Sequence, residues 1–364
     1  MKEVTRLKLN QLQVIVLAWM VMGFLITVYD YLVILSNNSL GPSEEYSFLM
    51  AAIRNVGAGL IGALTGGSFL VFHVNVKYRD KPYGYTVVAV TVVFVLVVAF
   101  ITYLMGSIFV PLRTGKPLLH PDSQAALRHF LVDTHPFKSA LAWSFVVAIS
   151  QLLLQVNTKF GQPDFWNIIR GRYNKPKEEK RIFMFLDINS STEIAERLGD
   201  ETYHALLKDF FADLTDPILE NRGSIYQYVG DEVVIAWDFE QGIRDANCIR
   251  CFFDMKQQLQ KAGDKYRQRY GLVPSFKAGL HCGRVIAGEV GIIKRDITYS
   301  GDVLNTTSRI CNKCGELGEE LLASSDVLSA LQSMKAYLTK PLGSIKLKGK
   351  SREVLLNSLV PFTA

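Results

Sequence analysis

The sequence predicts an α-helical bundle of four membrane spans followed by a soluble α+β domain. Four apolar stretches in the first half of the chain each have about the 20 residues that are needed to cross a bilayer. From residue 181 onward, short apolar strands alternate with amphipathic helical patterns, which is typical of a sheet flanked by helices. The hydrophobic content of 49% is also high for a chain without a membrane part.

The four predicted spans are residues 12–35, 48–71, 85–110 and 139–156. Basic residues precede the first span and fill the link between the second and third spans, whereas the first link carries only Glu44 and Glu45. Because basic links stay on the cytoplasmic side, we expect both chain ends in the cytoplasm. The predicted location is therefore the inner cell membrane, as a multi-pass protein in contact with the lipid bilayer.

Small and charged residues inside the spans predict contacts between helices. Ala58, Gly62 and Gly66 recur every four residues and form a face of small side chains, which suits close approach either to a second copy or to another helix of the bundle. Asp30 and Arg54 lie at similar depth, so we expect them to pair; the alternative is that each reaches the membrane surface separately.

Histidines are concentrated in the third link, residues 111–138. His120, His129 and His135 lie there with Asp122 and Asp133. If these side chains converge they form a metal or proton sensor. The simpler interpretation, which we favour, is a solvated loop.

The charge and the positions of the cysteines bear on nucleic-acid binding, on the redox compartment and on zinc binding. The net charge of +6 is spread along the chain without a basic stripe, so we expect no nucleic-acid partner. All five cysteines follow residue 247, which suits a reducing compartment. Two CxxC pairs, Cys248/Cys251 and Cys311/Cys314, have the ligand types of a zinc site. Because both pairs lie within helical patterns far apart in the sequence, we favour incidental helix cysteines.

The predicted domains are a membrane domain of residues 1–157, a connector of residues 158–180 and a soluble domain of residues 181–364, to which the segments described below assign catalysis. The connector holds a short amphipathic segment at residues 165–170. Within the catalytic domain we expect a strand at 182–187, helices to 221, a hairpin at 226–237, a helix at 242–262, a strand at 276–283, a short helix from residue 305, and strands at 344–349 and 353–359.

Two aspartates stand out in this domain. Asp187 ends an apolar strand, and the run Asn189 to Thr192 then opens a helix, with Ser190 and Glu193 in capping-box spacing. Backbone N–H groups at such a helix start can hold phosphate. If the hairpin pairs antiparallel to the strand, its turn brings Asp231 beside Asp187, and two carboxylates can share divalent cations. We assign its neighbour Glu232 no role beyond the turn.

Five segments in order, FMFLDINSST, YQYVGDEVV, KAGLHCGRVIAGEVG, YSGDVLNTTSRI and LKGK, resemble the catalytic domain of the class III nucleotidyl cyclases. The resemblance covers residues 180–360, and the chain is similar to bacterial membrane-anchored members. It implies a ferredoxin-like or palm-type sheet flanked by helices. It also implies conversion of a nucleoside triphosphate to a cyclic nucleotide and pyrophosphate. A diguanylate cyclase is disfavoured because it would leave the Asn305/Arg309 segment unexplained.

The resemblance implies a role for each matching residue. Asp187 and Asp231 match the metal-binding aspartates, with the Ile188 carbonyl as a further ligand of two Mg²⁺ or Mn²⁺ ions. Asn305 and Arg309 match the pair that orients the ribose and stabilises charge on the α-phosphate. Residues with substrate-binding roles in this scheme are Lys348, with Lys350 as an alternative, and Ser190, Ser191 and Thr192 at the helix start. The family shares each site between two catalytic domains, so a homodimer is expected.

The choice of base rests on Gln227 and Thr298. Adenylyl members of the family place lysine at the first position and aspartate or threonine at the second, while guanylyl members use glutamate and a small residue. Thr298 fits the adenylyl pattern, but the Gln227 amide can either donate or accept. We predict an adenylate cyclase acting on ATP, with the membrane domain as anchor and candidate sensor of an unidentified ligand or partner. The alternatives are a guanylate cyclase and a catalytically silent nucleotide-binding receptor.

Overall fold

The computed structural model describes residues 2–36, 47–78, 81–132, 134–160, 170–293, 295–331, 337–347 and 353–362. The chain divides into two compact units, one of residues 6–165 and one of residues 166–364 together with residues 1–5. The first unit is helical, and the second is built around an eight-stranded sheet.

The helical unit contains α1 (Lys2–Ser36), α2 (Phe48–Gly62), α3 (Tyr83–Thr114), α4 (Pro121–Val132) and α5 (Thr134–Phe160). Helix α2 continues to residue 77 through two π-helical turns, Ala63–Gly67 and Leu70–Val74, and a last turn, Asn75–Lys77. The described residues include four helices long and apolar enough to cross a membrane, Thr5–Ser36, Phe48–Val74, Tyr83–Phe100 and Ala140–Asn157. The predicted four spans are therefore confirmed. The third link is not a plain loop, because it contains α4.

The small-residue face of α2 packs against α1. A Cβ atom built on Gly59 would lie 2.6 Å from the backbone oxygen of Trp19, so only glycine allows the two backbones this close. Gly62 and Gly66 lie beneath the Trp19 indole, whereas Ala58 is exposed. Of the two interpretations of this face, packing within the bundle is the one observed.

Two further expectations for this unit stay predictions. The pairing of Asp30 with Arg54 is one. The other is the sensor in the third link, where His120 Nδ1 lies 3.6 Å from the Asp122 carboxylate. Residue 133 and the side chain of His135 lie outside the described residues. Among the side chains that the structure does describe, no three His, Cys, Asp or Glu are grouped to hold a metal ion.

The catalytic sheet has the strand order β2-β3-β1-β4-β6-β8-β7, with β5 paired to β4. Its strands are β1 (Lys177–Ile188), β2 (Ser224–Val229), β3 (Glu232–Asp238), β4 (Phe276–Val290), β5 (Asp296–Ser300), β6 (Leu321–Ser324), β7 (Tyr337–Ile345) and β8 (Val354–Pro361). The pairs β1/β3, β1/β4 and β2/β3 are antiparallel, and β4/β6 is parallel. The first four strands thus have the order of a ferredoxin-like sheet, as expected.

Helices cover this sheet and connect its strands. They are α6 (Ser191–Leu198), α7 (Asp200–Glu220), α8 (Phe239–Ile243), α9 (Asn247–Lys261), α10 (Gly263–Tyr270), α11 (Asp302–Leu317) and α12 (Ser325–Ala330). The main core lies between α7, α9 and one sheet face, with fully buried Met184, Phe210 and Phe252. A smaller cluster around Phe183 and Val234 lies on the opposite face.

Several predicted elements of this domain need correction. The helix expected at 242–262 is broken, because Asp245 and Ala246 adopt positive φ angles of 50° and 51°. The helix expected to begin at residue 305 begins at Asp302 and is 16 residues long. Strand β1 begins at Lys177, inside the predicted connector. The strand expected at 344–349 is instead β7, which ends at Ile345. The amphipathic segment at 165–170 falls almost wholly outside the described residues.

The two CxxC pairs are core residues. All five cysteines are buried and free, and burial raises the pKa of the Cys248 thiol to about 12. Cys248 and Cys251 on α9 belong to the main core, whereas Cys314 on α11 packs in a separate cluster with Leu347. The favoured interpretation, incidental helix cysteines, agrees with this placement.

Candidate active site

The candidate site lies at the end of β1. From Arg181 onward most side chains of this strand are buried, and Asp187, its last residue but one, is half-buried at the end of the strand. In register, Asp187 faces Glu232 on β3 and Lys277 on β4. The Lys277 Nζ atom lies 2.8 Å from Asp187 Oδ2, and both side chains are mostly buried. A carboxylate and an ammonium group therefore sit side by side at the edge of an apolar sheet.

The hairpin turn brings Asp231 to the same edge. Gly230 adopts a φ of +63° in the turn, and β3 runs antiparallel to β1, which is the condition on which the expected meeting of Asp231 and Asp187 depended. Because Asp187 pairs with Glu232, the neighbouring Asp231 lies close enough for its charge to act on the Asp187 carboxyl group. Burial and then Asp231 raise the pKa of Asp187 and outweigh the lowering effect of Lys277. Burial, Asp187 and Asp231 likewise raise the pKa of Glu232. The cluster thus holds more negative charge than Lys277 alone neutralises.

This donor set fits a hard divalent cation. Mg²⁺ and Mn²⁺ prefer oxygen ligands, and a Mg²⁺ site commonly combines one or two carboxylates with substrate phosphates. Asp187 and Asp231 supply two carboxylates, while the side chain of Ile188 is buried in the core, which leaves only its backbone carbonyl for an ion. The described residues offer no third His, Cys, Asp or Glu in a ligating arrangement. Waters and substrate oxygens would complete the coordination of such an ion.

The turn after β1 differs from the predicted capping box. Ser190 precedes α6 in the left-handed conformation, with φ 52°, and its side chain makes no cap hydrogen bond. Ser191 instead interacts with the phenol of Tyr203 on α7, a group whose pKa is raised by burial and by the charge of Asp231. Thr192 is exposed in the first turn. The start of α6 thus lies beside the carboxylate pair.

Helix α11 presents Asn305 and Arg309. Two glycines of β4 allow the helix to lie against the sheet, because a Cβ on Gly279 would be 2.4 Å from the Cys311 amide nitrogen, and one on Gly283 would also clash with the helix. Asn305 and Arg309 are one turn apart on the side away from this contact. Asn305 is exposed and Arg309 is half-buried. Asn305 and Arg309 therefore lie on one helix face. The charged groups that shift the pKa of Asp187 are Lys277 and Asp231, and Arg309 is not among them.

The two predicted base-contacting residues lie on separate strands. Gln227 is exposed on β2, directly after a register shift in the β2/β3 ladder. Thr298 is half-buried on β5, and its hydroxyl donates to the Gly288 carbonyl oxygen at 3.5 Å. Lys348 and Lys350 lie outside the described residues.

Sequence analysis missed Lys277 and Tyr203. The sequence did contain a signal for Lys277, because this charged residue stands among small and apolar residues at the beginning of the predicted strand FKAGLHCG. Its partner Asp187 depended on the register of two strands 90 residues apart. Tyr203 carried no local signal, since an aromatic residue on an amphipathic helix is ordinarily a core residue.

Comparison with family models and with curated proteins identifies relatives of this chain. A family model described as the adenylate and guanylate cyclase catalytic domain matches residues 173–357, half of the chain. Adenylate cyclase 2 of Rhizobium meliloti (strain 1021) is 39% identical over 207 residues, which are 57% of this chain and 57% of that protein. Adenylate cyclase 1 of the same organism is 31% identical over 46% of this chain and 25% of its own length.

Solved structures show the same fold. A bacterial light-regulated adenylyl cyclase superposes with a TM-score of 0.54 at 20% identity, over 63% of this chain and 66% of that one. The chain spans 57% of the length of adenylate cyclase 2 and 25% of the length of adenylate cyclase 1. The family match covers the whole segment from before β1 into β8, including the carboxylate pair and α11. The chain therefore belongs to the family of adenylate and guanylate cyclase catalytic domains, the class III nucleotidyl cyclases.

Proposed function

We propose that this protein is a membrane-bound adenylate cyclase that converts ATP to 3′,5′-cyclic AMP and pyrophosphate. The observation that carries the proposal is the strand register that places Asp231 next to Asp187, beside Lys277, in a chain of the cyclase family. The names of its relatives from Rhizobium meliloti support ATP as the substrate.

The carboxylate pair is the proposed site of two Mg²⁺ or Mn²⁺ ions, with the Ile188 carbonyl as a further ligand. Such ions would supply charge neutralisation for the attacking 3′-oxygen and the leaving pyrophosphate. The raised pKa of Asp187 supports this assignment, because an adjacent cation removes the repulsion between the two carboxylates. Lys277 is already paired with Asp187 at 2.8 Å. It is thus within reach of phosphate oxygens that approach the same carboxylate.

The reaction needs in-line geometry and charge stabilisation more than an acid or base side chain. The 3′-oxygen forms a bond to the α-phosphorus while the bond to the β-phosphate oxygen breaks, and the hydroxyl proton passes to solvent. Asn305 orients the ribose, and Arg309 stabilises charge on the α-phosphate. Lys348 and the backbone N–H groups of Ser191 and Thr192 hold the terminal phosphates.

We propose that two copies of the chain form the site, with Asp187 and Asp231 from one and Asn305 and Arg309 from the other. The β4–β5 hairpin supports a self-association surface. Its large apolar side chains are exposed at Ile286, Val290, Ile292 and Ile293. Apolar side chains gathered on an exposed hairpin are typical of an interface.

GTP is the second candidate substrate, because the exposed amide of Gln227 can accept a hydrogen bond from guanine as readily as it can donate one to adenine. A silent receptor is disfavoured, since Asp187, Asp231, Asn305 and Arg309 are all present.

The helical unit is the proposed anchor and candidate sensor for an unidentified ligand or partner. Its four apolar helices support insertion in the inner membrane, with the catalytic unit in the cytoplasm. We place the membrane domain at residues 1–157 and the start of the catalytic domain at Lys177, the first residue of β1, and propose that the connector between them carries any signal. Replacing the bundle by an unrelated dimeric anchor tests this role, because unchanged activity and unchanged ligand response would exclude it.

The full-length protein, purified in detergent or nanodiscs, is assayed with ATP and with GTP in Mn²⁺ or Mg²⁺. We expect cyclic AMP from ATP, and a loss of at least about a hundredfold in Asp231→Ala. A matched control is Asp216→Ala, which removes an exposed carboxylate on α7. Failure to form any cyclic nucleotide would exclude the enzyme function, and 3′,5′-cyclic GMP from GTP as the main product would favour the guanylate alternative.

A further inference from the structure

Tyr226 joins two strands of the catalytic sheet that are not neighbours. Strand β2 lies at one edge of the order β2-β3-β1-β4, whereas β5 pairs with β4. The backbone N–H of Tyr299 on β5 nevertheless donates a hydrogen bond to the Tyr226 hydroxyl oxygen on β2, at 3.3 Å. A single side chain therefore ties the position of β5 to that of β2.

A register shift aims Tyr226 and Gln227 at the same face. Ile225 pairs with Ile235, which belongs to the main core, but Gln227 pairs with Val234, which packs on the opposite face. The ring of Tyr226 packs on that opposite face as well. Without the bulge, strand alternation would turn one of these two neighbours away. The bulge lets Tyr226 pack against the sheet while Gln227 remains exposed.

The partner of Tyr226 is held firmly in place. The Tyr299 ring lies 4.9 Å from the Tyr226 ring and 5.4 Å from the Phe183 ring, both edge-on. The Arg181 guanidinium lies 5.3 Å from the Tyr299 centroid, and this buried arginine is ion-paired with Asp238 at 3.1 Å. Aromatic and cation–π contacts of this kind restrict ring motion. The tie between β2 and β5 is thus anchored in the sheet.

We propose that Tyr226 is a positioning residue for base recognition: its hydroxyl bond to Tyr299 sets the separation of Gln227 and Thr298. Each of these two residues is the immediate neighbour of one partner in the bond. Two groups that read one purine edge must keep a fixed distance, because hydrogen bonds weaken steeply away from ideal geometry. This inference rests on the proposed cyclase function and on the base-contacting roles of Gln227 and Thr298.

The test compares Tyr226→Phe with Tyr228→Phe in the full-length protein. Tyr228 lies on the same strand, but its ring packs on Phe211 of α7 at 4.7 Å, on the other face. KM and kcat are measured for ATP and GTP, and hydrogen exchange is followed in a peptide that covers β5. Tyr226→Phe keeps the ring and removes only the hydroxyl oxygen that accepts the Tyr299 N–H.

We expect Tyr226→Phe to raise KM for ATP roughly threefold to tenfold and to change the ATP-to-GTP preference by a similar factor. Its kcat should stay within about twofold of wild type. Exchange in β5 should become faster. Tyr228→Phe should leave KM, preference and β5 exchange unchanged.

Faster exchange in β5 with unchanged KM and preference would overturn the positioning role and leave Tyr226 as a structural residue. Equal effects of the two variants would overturn it as well. If the wild type cyclises neither triphosphate, the proposed function fails separately. Calorimetry with ATP then decides on Tyr226, because weaker ATP binding by Tyr226→Phe is still required.

Discussion

The helical unit and the catalytic unit use leucine in opposite ways. In the helical unit Leu17 is 66% exposed and Leu49 is 67% exposed, whereas in the catalytic unit Leu206 and Leu280 are completely buried. Apolar side chains face outward in the first unit, and its helix contacts rely on close approach at small residues, as is typical of helices that pack in lipid. The catalytic unit obtains its stability from an apolar core instead. Composition therefore identifies the spans directly, while the active site depends on how distant strands pair.

The largest expected effect is confined to the catalytic unit. Arg309→Ala should lower kcat by at least about a hundredfold, because it removes the charge stabilisation that we propose for this residue at the α-phosphate. The matched control is Lys313→Ala, one helical turn further along α11, where the lysine pairs with Glu316. Steady-state kinetics with ATP check this, and equal losses in both variants would point to damage of α11 rather than to loss of a catalytic group.

The contrast between the two units predicts unequal costs for the same substitution. Leu206→Ala removes a buried side chain and should lower the free energy of unfolding by about 2–5 kcal/mol. Leu17→Ala removes an outward-facing side chain and should change it by less than about 1 kcal/mol. Denaturation of each variant in nanodiscs measures the difference. A large loss in Leu17→Ala would show that this side chain is packed against protein.

Glycine contacts offer a matched test in both units. Gly59→Leu and Gly279→Leu each place a side chain against backbone, at 2.6 Å and 2.4 Å from the Cβ position, and should destabilise by about 1–3 kcal/mol or more. Gly57 lies in the same helix as Gly59, and Gly315 lies in α11, the helix that packs on Gly279. A Cβ atom built on Gly57 or on Gly315 has nothing within 4 Å. Gly57→Leu and Gly315→Leu should therefore be tolerated. Thermal unfolding midpoints are measured for all four variants. Equal midpoints for Gly59→Leu and Gly57→Leu, or for Gly279→Leu and Gly315→Leu, would contradict the expected difference.

The smallest expected effect concerns pH. The pKa of Asp187 is raised in the folded protein, so protonated Asp187 contributes stability at low pH that is lost as pH rises through this pKa, above the usual value of about 4. At neutral pH the metal-free protein then carries repulsion between Asp187 and Asp231. Asp231→Asn should raise its stability by less than about 1 kcal/mol.

Thermal midpoints between pH 4 and pH 8, with and without Mn²⁺, measure this effect. The gain in Asp231→Asn should shrink toward low pH, and Mn²⁺ should stabilise wild type more than the variant. A variant that is less stable at neutral pH, or that gains as much from Mn²⁺, would contradict a repulsive carboxylate pair.

Local patterns predicted the four spans and the hairpin itself, because length and alternation are local properties, whereas the pairing of the hairpin with the strand that carries Asp187 entered only as a condition. They did not predict the break at Asp245, since its positive φ has no distinctive sequence. The predicted bounds of the strand before β8 were wrong, because pairing with β8 determines which residues form β7. The ion pair of Lys277 and the bond of Tyr226 to Tyr299 were also inaccessible, since each depends on residues far apart in the chain.

The central claim is that two copies of the chain build one cyclase site. It is tested most directly by co-expressing Asp231→Ala and Asn305→Ala chains with different tags and purifying the mixed dimer. Each variant alone should be inactive, while the mixed dimer keeps one intact site of two and should recover about half of wild-type activity. A mixed dimer as inactive as its parents would contradict the shared site.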